Sequence, residues 1–200
     1  GEPRCAECLI GTYANQAGSA TCFACSAGAF SSQPGAVTCD KCPNGTASLL
    51  TGSSGCLVCG KGTYAAQGSA FCSECNIAVG ETSAEGSSEC GLCDRRYFEI
   101  RPGRCEECVG MYSGADCAST GSTLKGLILK PDHWRAHQTS DDIKDCIVEG
   151  ICLGGNDTYA QCKYGHLGPM CTLCIDNWFK TIDEGCSECE SLSVRFFIAA

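Results

Sequence analysis

Cysteine recurs along this chain as a C-x-x-C pair at nearly fixed spacing, and no other feature limits the possible folds as tightly. The first cysteines of successive pairs fall at 5, 22, 39, 56, 72, 90 and 105, in steps of 15 to 18 residues. The stretch CLIGTYANQAGSATCFAC, Cys8 to Cys25, returns as CSAGAFSSQPGAVTCDKC from Cys25, CPNGTASLLTGSSGCLVC from Cys42 and CGKGTYAAQGSAFCSEC from Cys59. Looser copies without G-T-Y open at Cys75 and Cys93. A period of this length holds one hairpin and its turn, so the sequence defines a tandem array rather than one globular core.

Composition says how such a unit is held. Leu, Ile, Val and Phe number 35 of 200 residues and Cys alone 22. A unit this small buries too little apolar surface to fold by itself, whereas closing a loop of about 15 residues is worth roughly 3 kcal/mol of chain entropy. The expected fold class is therefore small and disulfide-rich, mainly short β-hairpins and irregular loops, in an elongated tandem-repeat rod with little helix. Each unit is expected to touch only its neighbours. Oxidised cysteines in this number belong outside the cytosol or in a secretory lumen. The sequons at Asn44 and Asn156 agree, as glycosylation sites. A net charge of −9 argues against nucleic acid or an anionic lipid surface as partner.

Within each unit the glycine of G-T-Y permits a positive φ beside the cysteine, and the aromatic five residues after the cysteine (Tyr13, Phe30, Tyr64, Phe98) is placed to cover the disulfide. Arg95, Arg96, Arg101 and Arg104 form a local basic cluster that is able to fork onto sulfate or carboxylate. Their acidic neighbours Asp94, Glu99, Glu106 and Glu107 favour a solvated rim instead. After Cys117 the rhythm breaks, and residues 118–145 contain no cysteine. There LKGLILKPDHW, Leu124 to Trp134, reads as a strand ending in a turn at Pro131. From Cys146 the spacing changes, and Cys174 to Cys189 returns to the first-half pattern with Phe179 in the place of Tyr13. Ser193 to Ala200 is apolar but far short of the ~20 residues that span a bilayer. It is expected to begin a membrane segment completed beyond residue 200.

Nine C-x-x-C pairs raise the question of metal and redox chemistry. Their spacing fits zinc, but the sequons and the unpaired-motif cysteines Cys117, Cys146, Cys152 and Cys162 favour disulfides. His133 and His137 have a ligand spacing on a helix, yet no acidic or cysteine partner stands at a recognised metal distance. Thioredoxin-like exchange needs a βαβ context that is missing, and neither G-x-S-x-G nor H-E-x-x-H occurs. No catalytic, cofactor-binding or metal residue is assigned, and the chain is not expected to be an enzyme.

The repeat also restricts connectivity. The two cysteines of one C-x-x-C crowd each other, and an unstrained bridge wants Cα atoms about 5.5 Å apart on facing strands. Each cysteine therefore pairs outward: Cys8 with Cys22, Cys25 with Cys39, Cys42 with Cys56, Cys59 with Cys72, Cys75 with Cys90, Cys93 with Cys105 and Cys108 with Cys117. The same rule joins Cys162 with Cys171 and Cys174 with Cys186, leaving Cys146 and Cys152 to each other. Cys5 and Cys189 are expected to stay unpaired, as outward members of repeats continued elsewhere in a longer chain.

The quoted repeats resemble the cysteine-rich repeats of ephrin-type receptor tyrosine kinases over residues 1 to 108, and also the first module of tumour necrosis factor receptor repeats. The segment CKYGHLGPMC, with Gly165 and Gly168, resembles the closing loop of a laminin-type EGF unit. From LKPDHWRAHQ through CKYGHLGPMCTLC the chain is similar to juxtamembrane parts of large cysteine-rich membrane proteins of algae and other protists. The resemblances imply ephrin-receptor-like repeats over 1–117, a connecting segment over 118–145, an EGF/laminin-like module over 146–190 and the start of a membrane segment over 191–200. The implied function is an extracellular stalk or ligand-binding ectodomain of a larger surface protein, acting on a protein partner or by self-association. The alternative is a structural matrix or surface-filament component without a specific ligand.

Overall fold

Ten bridges and a glycine-punctuated repeat leave the backbone little choice but short antiparallel pairs. The computed structural model describes residues 7–16, 18–181 and 185–189. Among these every sheet has two strands, and ten such sheets follow one another along the chain. They are β1 (Thr12–Tyr13) with β2 (Phe23–Ala24), β3 (Ala29–Phe30) with β4 (Asp40–Lys41), β5 (Thr46–Ala47) with β6 (Leu57–Val58), and β7 (Thr63–Tyr64) with β8 (Ser73–Glu74). Then come β9 (Glu81–Thr82) with β10 (Leu92–Cys93), β11 (Tyr97–Arg101) with β12 (Arg104–Glu107), and β13 (Ala115–Asp116) with β14 (Ile128–Leu129). The last are β15 (His133–Trp134) with β16 (Lys144–Asp145), β17 (His166–Leu167) with β18 (Leu173–Cys174), and β19 (Trp178–Lys180) with β20 (Cys186–Glu188). Helix is confined to the 3₁₀ turns Ile77–Val79, Gly110–Tyr112 and Pro169–Cys171 among the described residues.

One backbone hydrogen bond closes the base of each hairpin. The amide of Cys25 donates to the carbonyl of Gly11, Cys42 to Gly28, Cys59 to Gly45 and Cys75 to Gly62, each at 2.9 Å. Later hairpins repeat it with other side chains, from Asp94 to Gly80, Cys108 to Arg96, Lys130 to Gly114, Cys146 to Asp132, Ile175 to Gly165 and Cys189 to Asn177. The accepting residue enters its strand from a left-handed turn in most cases: φ is +80° at Gly28, +72° at Arg96, +64° at Asp132 and +66° at Asn177. Glycine takes that conformation without penalty. Asn and Asp tolerate it, and Arg96 takes it at a cost.

The chain forms two compact units, Gly1–Asp94 with Gly103–Cys105, and Arg95–Pro102 with Glu106–Ala200. In the first, successive hairpins are tied by main-chain bonds. The amides of Gly11, Gly28, Gly45 and Gly62 donate to the carbonyls of Ser31, Ser48, Ala65 and Ser83 in the following repeat. The turn glycines Gly35, Gly52, Gly68 and Gly86 donate back to Cys8, Cys25, Cys42 and Cys59. The expectation that a unit touches only its neighbours needs correction. A Cβ on Gly11 would fall on the carbonyl of Gly52 two repeats on, and Gly28 meets Gly68, and Gly45 meets Gly86, in the same way. Backbones pass so closely there because both partners are glycine.

In the second unit the cysteine-free stretch contains a full hairpin, β15–β16, in which His133 pairs with Asp145 and Trp134 with Lys144. Counting back from Asp132 and Cys146 as in the other repeats, the two places that a disulfide fills elsewhere hold Leu129 and Ile143. Leu129 is buried, and Ile143 packs against the cluster of Phe98, Ala115, Cys117 and Leu127. Apolar burial has taken over from sulfur in this repeat.

Candidate functional site

The residues singled out by the sequence are chiefly cysteines, and the hairpins bring them together two by two. The bridges are Cys8–Cys22, Cys25–Cys39, Cys42–Cys56, Cys59–Cys72, Cys75–Cys90, Cys93–Cys105, Cys108–Cys117, Cys146–Cys152, Cys162–Cys171 and Cys174–Cys186. Their Cα separations run from 5.3 Å at Cys162–Cys171 to 6.4 Å at Cys108–Cys117, the ordinary span of a bridge. Cys189 is a free, exposed thiol. The expectations for Cys5 and for the membrane segment over 191–200 lie outside the described residues.

Of the four aromatics, Phe98 packs on sulfur, but on the bridge of the following repeat: it is fully buried with Cys117 and Cys108. Ala47, which holds the same place in the third repeat, is likewise buried with Cys59 and Cys72. Stacking displaces each hairpin toward the next, which spacing within one repeat does not reveal.

Asn44 lies exposed in a turn where both the amide and the hydroxyl of Thr46 donate to the Pro43 carbonyl. Asn156 is exposed beside Gly155, whose backbone pairs with Leu129 in both directions. His133 is on a strand, not a helix; its Nε2 lies 3.1 Å from Asp145 and its Nδ1 2.8 Å from the Pro131 carbonyl. His137 Nδ1 lies 3.0 Å from the Thr139 hydroxyl. No group of three or more His, Cys, Asp or Glu is arranged to hold a metal ion among the described residues. No helix there is long and apolar enough to cross a membrane. Of the arginine cluster, Arg96 serves by its backbone, donating to Cys117 and accepting from Cys108.

Two features escaped the sequence reading. Arg135 is fully buried directly after β15, in the repeat without a bridge. Its Nη1 and Nη2 donate to the carbonyls of Leu124 and Leu127 at 2.7 and 2.8 Å, and its own amide donates to Gln161 Oε1. Desolvation lowers its guanidinium below the usual arginine range. In the repeat register Arg135 stands where Ser31, Ser48, Ala65 and Ser83 are buried in the first unit, and no pattern flags that exchange. The second feature is a set of exposed leucines on the third repeat. Leu49, Leu50 and Leu57 are 71%, 72% and 81% exposed. The same places hold Ser32, Gln33 and Asp40 in the repeat before and Ala66, Gln67 and Ser73 in the repeat after.

Disulfide-closed hairpins in series, with helix confined to 3₁₀ turns among the described residues, have the construction of an extracellular cysteine-rich repeat region. Residues 1–42 and 11–55 match the family described as tyrosine-protein kinase ephrin type A/B receptor-like. Over these residues the chain is thus similar to ephrin-receptor-like cysteine-rich repeats. No curated protein matches the chain.

Proposed function

We propose that the chain is the outside portion of a larger cell-surface protein, anchored by a membrane segment beyond residue 200, and that its repeats bind a protein partner. The observation that carries this reading is the exposed trio Leu49, Leu50 and Leu57. A chain whose fold rests on bridges has no packing reason to expose three leucines at places where the neighbouring repeats carry small or polar residues. The region 146–190 belongs to the same proposal as an EGF/laminin-like module, supported by the bridged loop Cys162–Cys171 with Gly165 and Gly168 at positive φ. Asn44 and Asn156 are its proposed glycan carriers, supported by their exposure.

The test uses the oxidised chain from a secretory host, with binding to intact cells measured for wild type and for the double variant Leu50→Asp/Leu57→Asp. Saturable binding lost in the double variant supports the reading. Binding unchanged by it removes the leucine surface from the argument. A second reading, a matrix or filament component, is favoured by the same exposed leucines if sedimentation shows concentration-dependent self-association that the double variant abolishes.

A further inference from the structure

A cleft of about 430 Å³ opens in the first unit, within the ~300–1,000 Å³ range of small-ligand sites. Three repeats build it. Tyr13 and Ala24 come from β1 and β2, the turn Ser26 to Ala29 and the residues Thr38 and Lys41 from the second repeat, and Gln67 with Gly68 from the turn of the fourth. Two of its lining residues, Gly28 and Gly68, meet backbone to backbone, so a side chain on Gly28 would collide with that turn. The stem of Lys41 lies over Gly68, at 3.4 to 3.8 Å from where a Cβ would be.

The lining is chemically one-sided. Lys41 is its one charged side chain, and among the described residues no carboxylate lies within ion-pair distance of it. Asp40, next to it on β4, pairs with Phe30 while Lys41 pairs with Ala29, and alternation along a strand sends the two side chains to opposite faces. Lys41 is also the one basic residue inside any C-x-x-C of the sequence; the matching position is Ala24, Val58, Glu74 or Leu92 in the neighbouring repeats. The lining also holds Tyr13, Ser26, Thr38 and Gln67, which carry hydroxyl and amide groups, and between them the small residues Ala24, Ala27, Ala29, Gly28 and Gly68.

We propose that this cleft binds a sugar carrying a single carboxylate, with Lys41 facing the carboxylate and the hydroxyl and amide groups facing the ring hydroxyls. One exposed lysine attracts one anionic group weakly, so the neutral donors and acceptors must supply the rest, and they match a polyhydroxylated ring. A polyanion is disfavoured by a chain of net charge −9. An acidic peptide fits less well, because the two-residue strands offer no edge for strand addition and the cleft has no deep apolar pocket for a side chain.

The experiment titrates the oxidised full chain with methyl glucuronide and with methyl glucoside, its neutral counterpart, following backbone amide shifts by NMR. The expected result is a dissociation constant on the order of 1 mM for the acid and roughly tenfold weaker binding for the neutral sugar. Shifts should concentrate at Gly28, Lys41, Gln67 and Gly68. Lys41→Ala should erase the preference for the acid, Gln67→Ala should weaken both sugars, and Lys61→Ala should leave both unchanged. Equal binding of the two glycosides, no shifts with either, or shifts elsewhere overturns the proposal. A glutamate-containing peptide that binds as well as the glucuronide overturns the assignment to a sugar. Protein-partner binding to cells is read separately, so the two proposals stand or fall apart.

Discussion

Gly28 and Gly68 meet backbone to backbone across an intervening repeat, with no room between the Gly28 Cα and the Gly68 carbonyl for a methyl group. Gly28 also has a φ of +80°, where an L side chain is strained. Gly28→Ala should therefore cost about 2–4 kcal/mol, from backbone strain and from displacing a main-chain carbonyl. Gly60, with open space where its Cβ would go and no positive φ, is the control: Gly60→Ala should change stability by about 0.5 kcal/mol or less. Denaturant melts of the oxidised proteins compare the two. Equal costs would refute the close approach.

Reduction and chelation should act oppositely. With ten bridges and little apolar core, dithiothreitol should abolish the amide dispersion of the folded chain, while EDTA should leave it unchanged. Removing one bridge, by Cys59→Ala with Cys72→Ala, should cost about 2–5 kcal/mol. Iodoacetamide added without reductant should label Cys189, and peptide mapping should find the other described cysteines protected. Loss of structure in EDTA would restore metal to the argument.

The hairpins and their bridges were legible because sulfur geometry is local: outward pairing follows from spacing and from the crowding inside a C-x-x-C. The stacking was not legible. Whether Phe98 covers its own bridge or the one at Cys108–Cys117 depends on how far one hairpin slides along the next, and a single repeat does not encode that distance. The contact of Gly11 with Gly52 is hidden for the same reason, since glycine in a turn reads equally as a conformational need. The hairpin at His133–Trp134 was hidden because its marker, cysteine, is replaced by Leu129 and Ile143, and aliphatic residues carry no register. The cleft around Lys41 draws on three repeats, so no local pattern contains it.

That replaced pair gives the third prediction. The hairpin register of β15 and β16, with the Cys146 amide on the Asp132 carbonyl, repeats the frame in which other hairpins carry a bridge. Leu129→Cys with Ile143→Cys should therefore form a further disulfide. Relative to their fully reduced forms, the oxidised double variant should have lost two more hydrogens than the wild type, read by intact mass. Closing a loop of this length contributes roughly 3 kcal/mol, and losing the Leu129 packing offsets part of it, so a net gain of about 1–2 kcal/mol is expected. Two free thiols in the folded double variant would show that the frame is wrong.

Arg135 supplies the fourth. It is buried without a carboxylate partner among the described residues, so its charge is not retained for an ion pair; its work is to satisfy the Leu124 and Leu127 carbonyls in a segment that has no bridge. Arg135→Met keeps the apolar stem and strands both acceptors, and should cost about 2–4 kcal/mol. Arg135→Lys keeps the charge but presents one ammonium where the planar fork reaches two carbonyls, and should recover only part of the loss. The pH dependence separates this role from a titrating one. Desolvation sets the folded guanidinium below its unfolded value, so the unfolded chain binds more protons and stability rises with pH through that alkaline window. Between about pH 6 and 8 both states are protonated, and the difference between wild type and Arg135→Met should be flat. A difference that varies across that range would mean that a second titrating group shares the site.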